Sequence, residues 1–298
     1  MLELVDNLQK ALKERVLNLE WMTEETKKKA MLKHEAFRAK IGYPDTWPDF
    51  SLLDISNEKT FVENVIASNS FDFQSEMNKM FKPTDPDDWF LHPQTVNAFF
   101  HPIRNEIIFP AGILQFPFFD PNANDSINYG AIGVVIGHEM THSYDNHGSK
   151  FDHKGMLKNW WTEEDLSKFD AKTKYYEDKF STYTVNGINI NGKLTLGENI
   201  ADMGGLLTSY DAMQHHIADH PELGTDKIAF DKEFLSSYAR IWRSNYRPEM
   251  IEMQIQTDPH TPAQWRVNGA LSHFAPFHVT FGVSEGDKMY SDDYEKIW

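Results

Sequence analysis

At 298 residues the chain is long enough to bury a sizeable core, as one large domain or as two of ordinary size. A formal charge of −16 opposes binding to a phosphate backbone, which relies on clustered Lys and Arg, so nucleic acid is not an expected partner. The absence of cysteine excludes disulfides and thiolate ligands, so a bound metal must be held by His, Asp or Glu. No run approaches the roughly 18 apolar residues that span a bilayer, and the amphipathic start MLELVDNLQKALKERV lacks a signal-peptide apolar stretch, so no membrane segment is expected. The compartment expected is a bacterial cytoplasm, with the cell envelope or secretion as the alternative.

Residues 1 to about 40 read as two amphipathic helices, the second opening at Thr23 with Glu24 and Glu25 ahead of the basic run Lys27 to Lys29, the charge order that suits a helix dipole. IGYPDTWPDF interrupts them, and a further helix is expected around Asn57 to Ser68. VNAFF and NEIIF, separated by HPIR, suggest a β-hairpin or two edge strands. SINYGAIGVVIGHEMTHSYD carries Ile127, Ile132, Val135, Ile136 and Met140 at approximate helical spacing, and its length favours a largely buried helix. A charged helix follows Thr162 to about Phe180, VNGINING supplies Asn-Gly turns, and a long helix runs from near Leu196 to about Ala218. Two or three more helices fill Phe230 to His273. The pattern is mainly α with a small β element.

His138-Glu139-Met140-Thr141-His142 is an H-E-x-x-H sequence, and i,i+4 spacing on a helix puts both imidazoles on one face. Glu139 projects from the same turn, placed to take a proton from a water that a zinc ion would acidify. The bare pattern also describes a helix with two surface histidines. A catalytic zinc takes three protein ligands, and the extended pattern that would supply the third nearby is broken, because Asp145 and Gly148 stand where Gly and His would be needed. A ligand from another helix is required. Glu198 opens a later predicted helix, and Asp202 follows one turn on along the same face, so this ENIAD segment offers a ligand and a supporting carboxylate together.

VIGHEMTHSYD together with GENIADMGG resembles the neprilysin family, which includes endothelin-converting enzymes and bacterial oligoendopeptidase O. The resemblance implies that His138, His142 and Glu198 bind one zinc ion, that Glu139 is the general base, and that Asp202 and Asp145 each orient a ligand histidine. Asn97-Ala98-Phe99-Phe100 is similar to the family's N-A-[FY]-[FY] strand, whose asparagine side chain and alanine carbonyl hold substrate backbone. Asp258-Pro259-His260-Thr261-Pro262 with Arg266 resembles a segment whose histidine stabilises the developing oxyanion and whose arginine binds a substrate carbonyl. By the same resemblance, Phe118, Val134, Val135 and Trp242 line the pocket for the side chain after the cut. His147, His153, His215, His216 and His220 read as surface residues.

The expected fold is therefore a mainly α, thermolysin-like zinc peptidase domain at residues 81–298, with residues 1–80 forming part of a second helical lobe. The expected activity is zinc-dependent hydrolysis of oligopeptides on the N-terminal side of hydrophobic residues. Family members carry several hundred further residues on the N-terminal side, so the chain is expected to represent the C-terminal half, with the N-terminal half as a partner. One rival is a noncatalytic, zinc-stabilised peptide-binding module; another is a metal-free helical interaction protein.

Overall fold

Val5, Leu8, Leu12 and Val16 set an apolar stripe on α1 (Leu2–Leu17), and that stripe is buried where α1 packs on α7 (Leu196–Asp219). The computed structural model describes residues 1–293 and 295–298. α2 (Glu24–Glu35) opens at Thr23, whose hydroxyl accepts the Thr26 N–H, with Glu24 and Glu25 in the first turn as the charge order predicts. β1 (Arg38–Gly42) runs parallel to β3 (Glu106–Pro110), and β2 (Phe99–His101) pairs antiparallel with the other side of β3. The β2–β3 pair is the expected hairpin. β1 is not read from the sequence, because Arg38 and Lys40 make it look solvated. Lys40 is in fact buried, 2.9 Å from the buried Glu106 carboxylate, so a cross-strand ion pair stands in for apolar alternation.

α3 (Phe61–Lys79) begins later than Asn57 because Thr60 and Glu63 form a reciprocal capping box, and it continues past Ser68 towards Pro83. No residue of α3 is buried, and Phe61, Val62, Ile66 and Phe73 lie exposed along it.

The expected single helix around His138 is two segments, α4 (Asp125–Asn128) and α5 (Val134–Thr141), joined by a wide π turn over 129–133. The cause is tertiary. The Ile132 N–H donates to the Phe118 carbonyl at 2.9 Å, and Gly130 lies so close to the Phe234 backbone that a Cβ would sit 2.1 Å from its carbonyl oxygen. Every residue of α5 is buried.

α6 (Glu163–Ser181) is capped by Thr162, and the short strands β4 (Thr184–Val185) and β5 (Ile188–Asn189) turn through Asn186-Gly187, both at positive φ. α8 (Lys227–Ile241), α9 (Pro248–Thr257) and α10 (Ala263–Leu271) occupy the span where two or three C-terminal helices are expected, and α11 (Ala275–Phe281) follows them. Among the described residues no helix is long and apolar enough to cross a membrane.

The contact that positions the site is the crossing of α5 and α7. Gly137 and Gly205 meet there, and a Cβ on Gly205 would lie 2.5 Å from the His138 nitrogen and 2.6 Å from the Val134 carbonyl oxygen. Both obstacles are backbone, which cannot swing aside. Gly205→Ala is therefore expected to force the helices apart and destabilise the chain by about 2 kcal/mol or more, read as a lowered urea midpoint. An unchanged midpoint would show that the crossing has slack.

Candidate metal centre and active site

α5 carries His138 and Glu139 in its last turn and is capped by His142, and α7 begins across the crossing with Glu198 in its first turn, one turn before Asp202. His138 Nε2 lies 3.0 Å from His142 Nε2, and Glu198 Oε2 lies 3.2 and 3.6 Å from these two nitrogens. All three ligand atoms fall within 4.8 Å of one another. The other ring nitrogens are committed: His138 Nδ1 donates to Asp202 Oδ1 at 2.8 Å, and His142 Nδ1 donates to Asp145 Oδ2 at 2.6 Å. In neutral rings these bonds fix the tautomer, leaving each Nε2 as a lone-pair acceptor.

Three acceptors thus face one another, and Glu198 Oε2 is buried without a hydrogen-bond donor in bonding geometry. A cation resolves this arrangement, and two imidazole nitrogens with one carboxylate oxygen form a donor set that suits zinc. The same cluster also favours positive charge on the rings themselves, so protons compete with a metal for these nitrogens. Burial opposes charge on every group, yet Asp145 and Glu198 carry His142 well above its ordinary pKa, and Asp202 and Glu198 raise His138. Burial likewise opposes ionisation of Glu198, but His138, His142 and His260 hold it well below the usual carboxylate range.

The supporting carboxylates are themselves held. Arg266 donates to Asp202 through Nε and Nη2 at 2.8 and 2.6 Å, and its guanidinium stacks 3.8 Å from the centre of the Trp242 ring. Asp145 Oδ1 accepts the N–H groups of His147 and Gly148, both at 2.7 Å. α2 reaches the same loop: Lys33 Nζ donates to the carbonyls of Ser143, Gly148 and Phe151 at 2.7, 2.7 and 2.8 Å. Burial pushes the Lys33 ammonium down to about 7, opposed by Asp145 and Asp152.

One cavity of about 530 Å³ collects the candidate catalytic, metal-binding and substrate-binding residues read from the sequence. His138, Glu139, His142, Asp145, Glu198, Asp202, His260 and Arg266 lie on its polar side. Asn97, Ala98, Phe118, Val134, Val135 and Trp242 also line it. His260 comes from the turn between α9 and α10; its Nε2 is 3.2 Å from Glu198 Oε2, and its Nδ1 bonds Asp258 at 2.7 Å. Asn97 is exposed, with its side-chain oxygen accepting the Ala98 N–H at 3.0 Å. Sequence reasoning missed Ile113, Leu194 and His147, which also line the cavity. His147 is exposed as expected, but its place two residues after Asp145, in the loop that Asp145 caps, puts it on the rim.

Two imidazoles and a carboxylate converging beside a glutamate, within a mainly helical, thermolysin-like domain, form a candidate zinc site. The sequence pattern of peptidase family M13 matches residues 97–297, and a second pattern of the same family matches residues 1–44. The chain belongs to peptidase family M13, the neprilysin family. It is 37% identical to an endothelin-converting enzyme homolog from Locusta migratoria, over 99% of this chain and 42% of that protein. It is also 37% identical to human endothelin-converting enzyme 1, over 99% of this chain and 40% of that protein. Among solved structures it matches the Mycobacterium tuberculosis zinc metalloprotease Zmp1 in complex with an inhibitor, with a TM-score of 0.93 and 39% identity over 99% of this chain and 46% of that one. PepO from Lactobacillus rhamnosis matches with a TM-score of 0.87 and 31% identity over 97% of this chain and 44% of that one. The chain therefore spans about two-fifths of the length of these curated relatives.

Removing either supporting carboxylate is expected to weaken zinc binding without removing a ligand. Asp202→Ala and Asp145→Ala should each lower zinc affinity about 10–100-fold, and Glu198→Ala should lower it further, in a competition titration against a chelator. Equal affinity in all three variants and the wild type would remove these carboxylates from the metal site.

Proposed function

We propose that this chain carries the catalytic apparatus of a zinc-dependent endopeptidase acting on oligopeptides, cutting on the N-terminal side of hydrophobic residues. The observation that carries this reading is the convergence of His138 Nε2, His142 Nε2 and Glu198 Oε2 in the cavity that Glu139 also lines. A single zinc ion held by these three residues supplies, when bound, a Lewis acid that polarises a carbonyl and makes water acidic near neutral pH.

The chain's own groups do the rest. Glu139 accepts a proton from the attacking water and returns it to the leaving amine. His260, in its imidazolium form with Nδ1 donating to Asp258, donates from Nε2 to the oxygen on which negative charge develops; burial opposes that charge, but Glu198 and Asp258 raise the ring's pKa above its ordinary value. Substrate backbone adds along the free edge of β2, gripped by the Asn97 side chain and the Ala98 carbonyl. Arg266, with Nε and Nη2 committed to Asp202, offers Nη1 to a substrate carbonyl. Phe118, Val134, Val135 and Trp242 give the residue after the cut an apolar wall, which is the basis of the hydrophobic preference.

In this reading residues 81–298 form the catalytic domain, with α1, α2 and β1 packed onto it through α7, β3 and the loop after His142, and of residues 1–80 the part around α3 begins a second lobe whose remainder covers the exposed apolar face of α3. Phe61, Val62, Ile66 and Phe73 support that assignment, because a helix with no buried residue does not stabilise itself in water. A cysteine-free chain needs no oxidising compartment, so a bacterial cytoplasm is the proposed location, with the envelope or secretion as the alternative. The second reading, a zinc-stabilised peptide-binding module without turnover, draws on the same exposed face.

Two measurements separate these readings. Glu139→Gln is expected to keep zinc while losing nearly all hydrolysis of a quenched peptide, because an amide cannot shuttle the proton; loss of metal in step with activity would make Glu139 a structural residue. Adding an N-terminal lobe as a separate polypeptide is expected to raise kcat/KM for short peptides, since enclosure excludes water and orients the substrate. Zinc binding and peptide affinity without turnover, even with the lobe added, would favour the binding module.

A further inference from the structure

Glu198 and His260 come from separate segments, yet Nε2 of His260 lies 3.2 Å from Glu198 Oε2. Asp258 sets the histidine within its own turn, its Oδ1 accepting the His260 backbone N–H at 2.8 Å and bonding Nδ1 at 2.7 Å. Both bonds are local. They orient the ring relative to the turn and leave open how the turn sits against α7.

A different contact fixes that second relation. Thr261 Oγ1 donates to Asn199 Oδ1 at 2.7 Å, joining the residue after His260 to the residue after Glu198. Asn199 Nδ2 donates in turn to Thr195 Oγ1 at 3.0 Å, and Thr195 Oγ1 donates to the Asn191 carbonyl at 3.2 Å. Thr261 and Asn199 are both 0% exposed, so water cannot replace the bond if it is lost. The chain of donors anchors the histidine turn to the first turn of the helix that carries the carboxylate ligand.

We infer that the Thr261–Asn199 bond is a positioning contact that sets the reach of His260 towards the reacting carbonyl, with Thr261 and Asn199 as positioning residues. The inference rests on the reading of His260 given under Proposed function. Productive geometry tolerates only about 0.5 Å of error, and an oxyanion donor is worth about 100–1,000-fold in kcat, so a loosened one forfeits a large part of that factor.

The test is a double-variant cycle on the zinc-loaded chain, with Thr261→Val removing the donor at constant shape, Thr261→Ser keeping it, and His260→Ala removing the group acted upon. Thr261→Val is expected to lower kcat about 10-fold or more with KM nearly unchanged, and Thr261→Ser to restore most of the loss. On the His260→Ala background Thr261→Val should have no further effect. Zinc affinity of the metal-free chain, measured by competition, should be the same in the wild type, Thr261→Val and Thr261→Ser. Wild-type kcat in Thr261→Val, an equal loss on both backgrounds, failure of Thr261→Ser to rescue, or weakened zinc binding would each overturn the inference. Wild-type kcat in His260→Ala would instead overturn the assignment of His260, and the inference with it. If Thr261→Val does not fold, Thr261→Ser against Thr261→Ala, which differ by the hydroxyl alone, makes the same comparison.

Discussion

Three lone pairs pointed at one another do not stay together unaided, and much of this fold is explained by the need to keep them there. His138 Nε2, His142 Nε2 and Glu198 Oε2 are held from behind by Asp202, Asp145 and the closely packed start of α7. Asp202 is held by Arg266, which rests on Trp242. Asp145 is held by two backbone N–H groups. Each layer compensates the charge of the one inside it, so the centre alternates acceptor, donor and acceptor outward into the core. A cation at the centre would balance the innermost layer as the outer layers already are.

This logic accounts for what could be read in the sequence. The i,i+4 histidines and the Glu198–Asp202 turn are spacings within single helices, and helical geometry converts them directly into faces. The β2–β3 hairpin and the capping of α2 were legible for the same reason, since the residues that decide them are neighbours in the chain. His260, Arg266, Asn97 and the apolar wall were legible only through family resemblance, because nothing within a few residues of each distinguishes it from ordinary surface or core.

What escaped the sequence was decided by contacts across it. β1 is a strand because the buried Lys40 side chain reaches the Glu106 carboxylate on β3, and the π turn before α5 exists because Phe118 draws away the Ile132 N–H. Both features serve the cavity. The first sets one side of the sheet whose other edge is β2, and the second ties Phe118 to the helix that supplies Val134, Val135 and His138. Local propensity carries no trace of either. The bond between Thr261 and Asn199 belongs to the same group: two ordinary polar residues given a task by their partners.

Lys33 carries a consequence for how such a protein can be divided. Its ammonium gathers three carbonyls from the loop that follows His142, while its own carbonyl accepts a bond from Asn105 at 2.7 Å. A cut or exchange anywhere between α2 and that loop separates a buried lysine from the turn that receives it. Chimeras between relatives would therefore inherit working metal loops when the first 42 residues travel with the catalytic helices, and mismatched ones when a splice follows the apparent lobe boundary. The unit of exchange is set by this tripod rather than by where helices cluster in space.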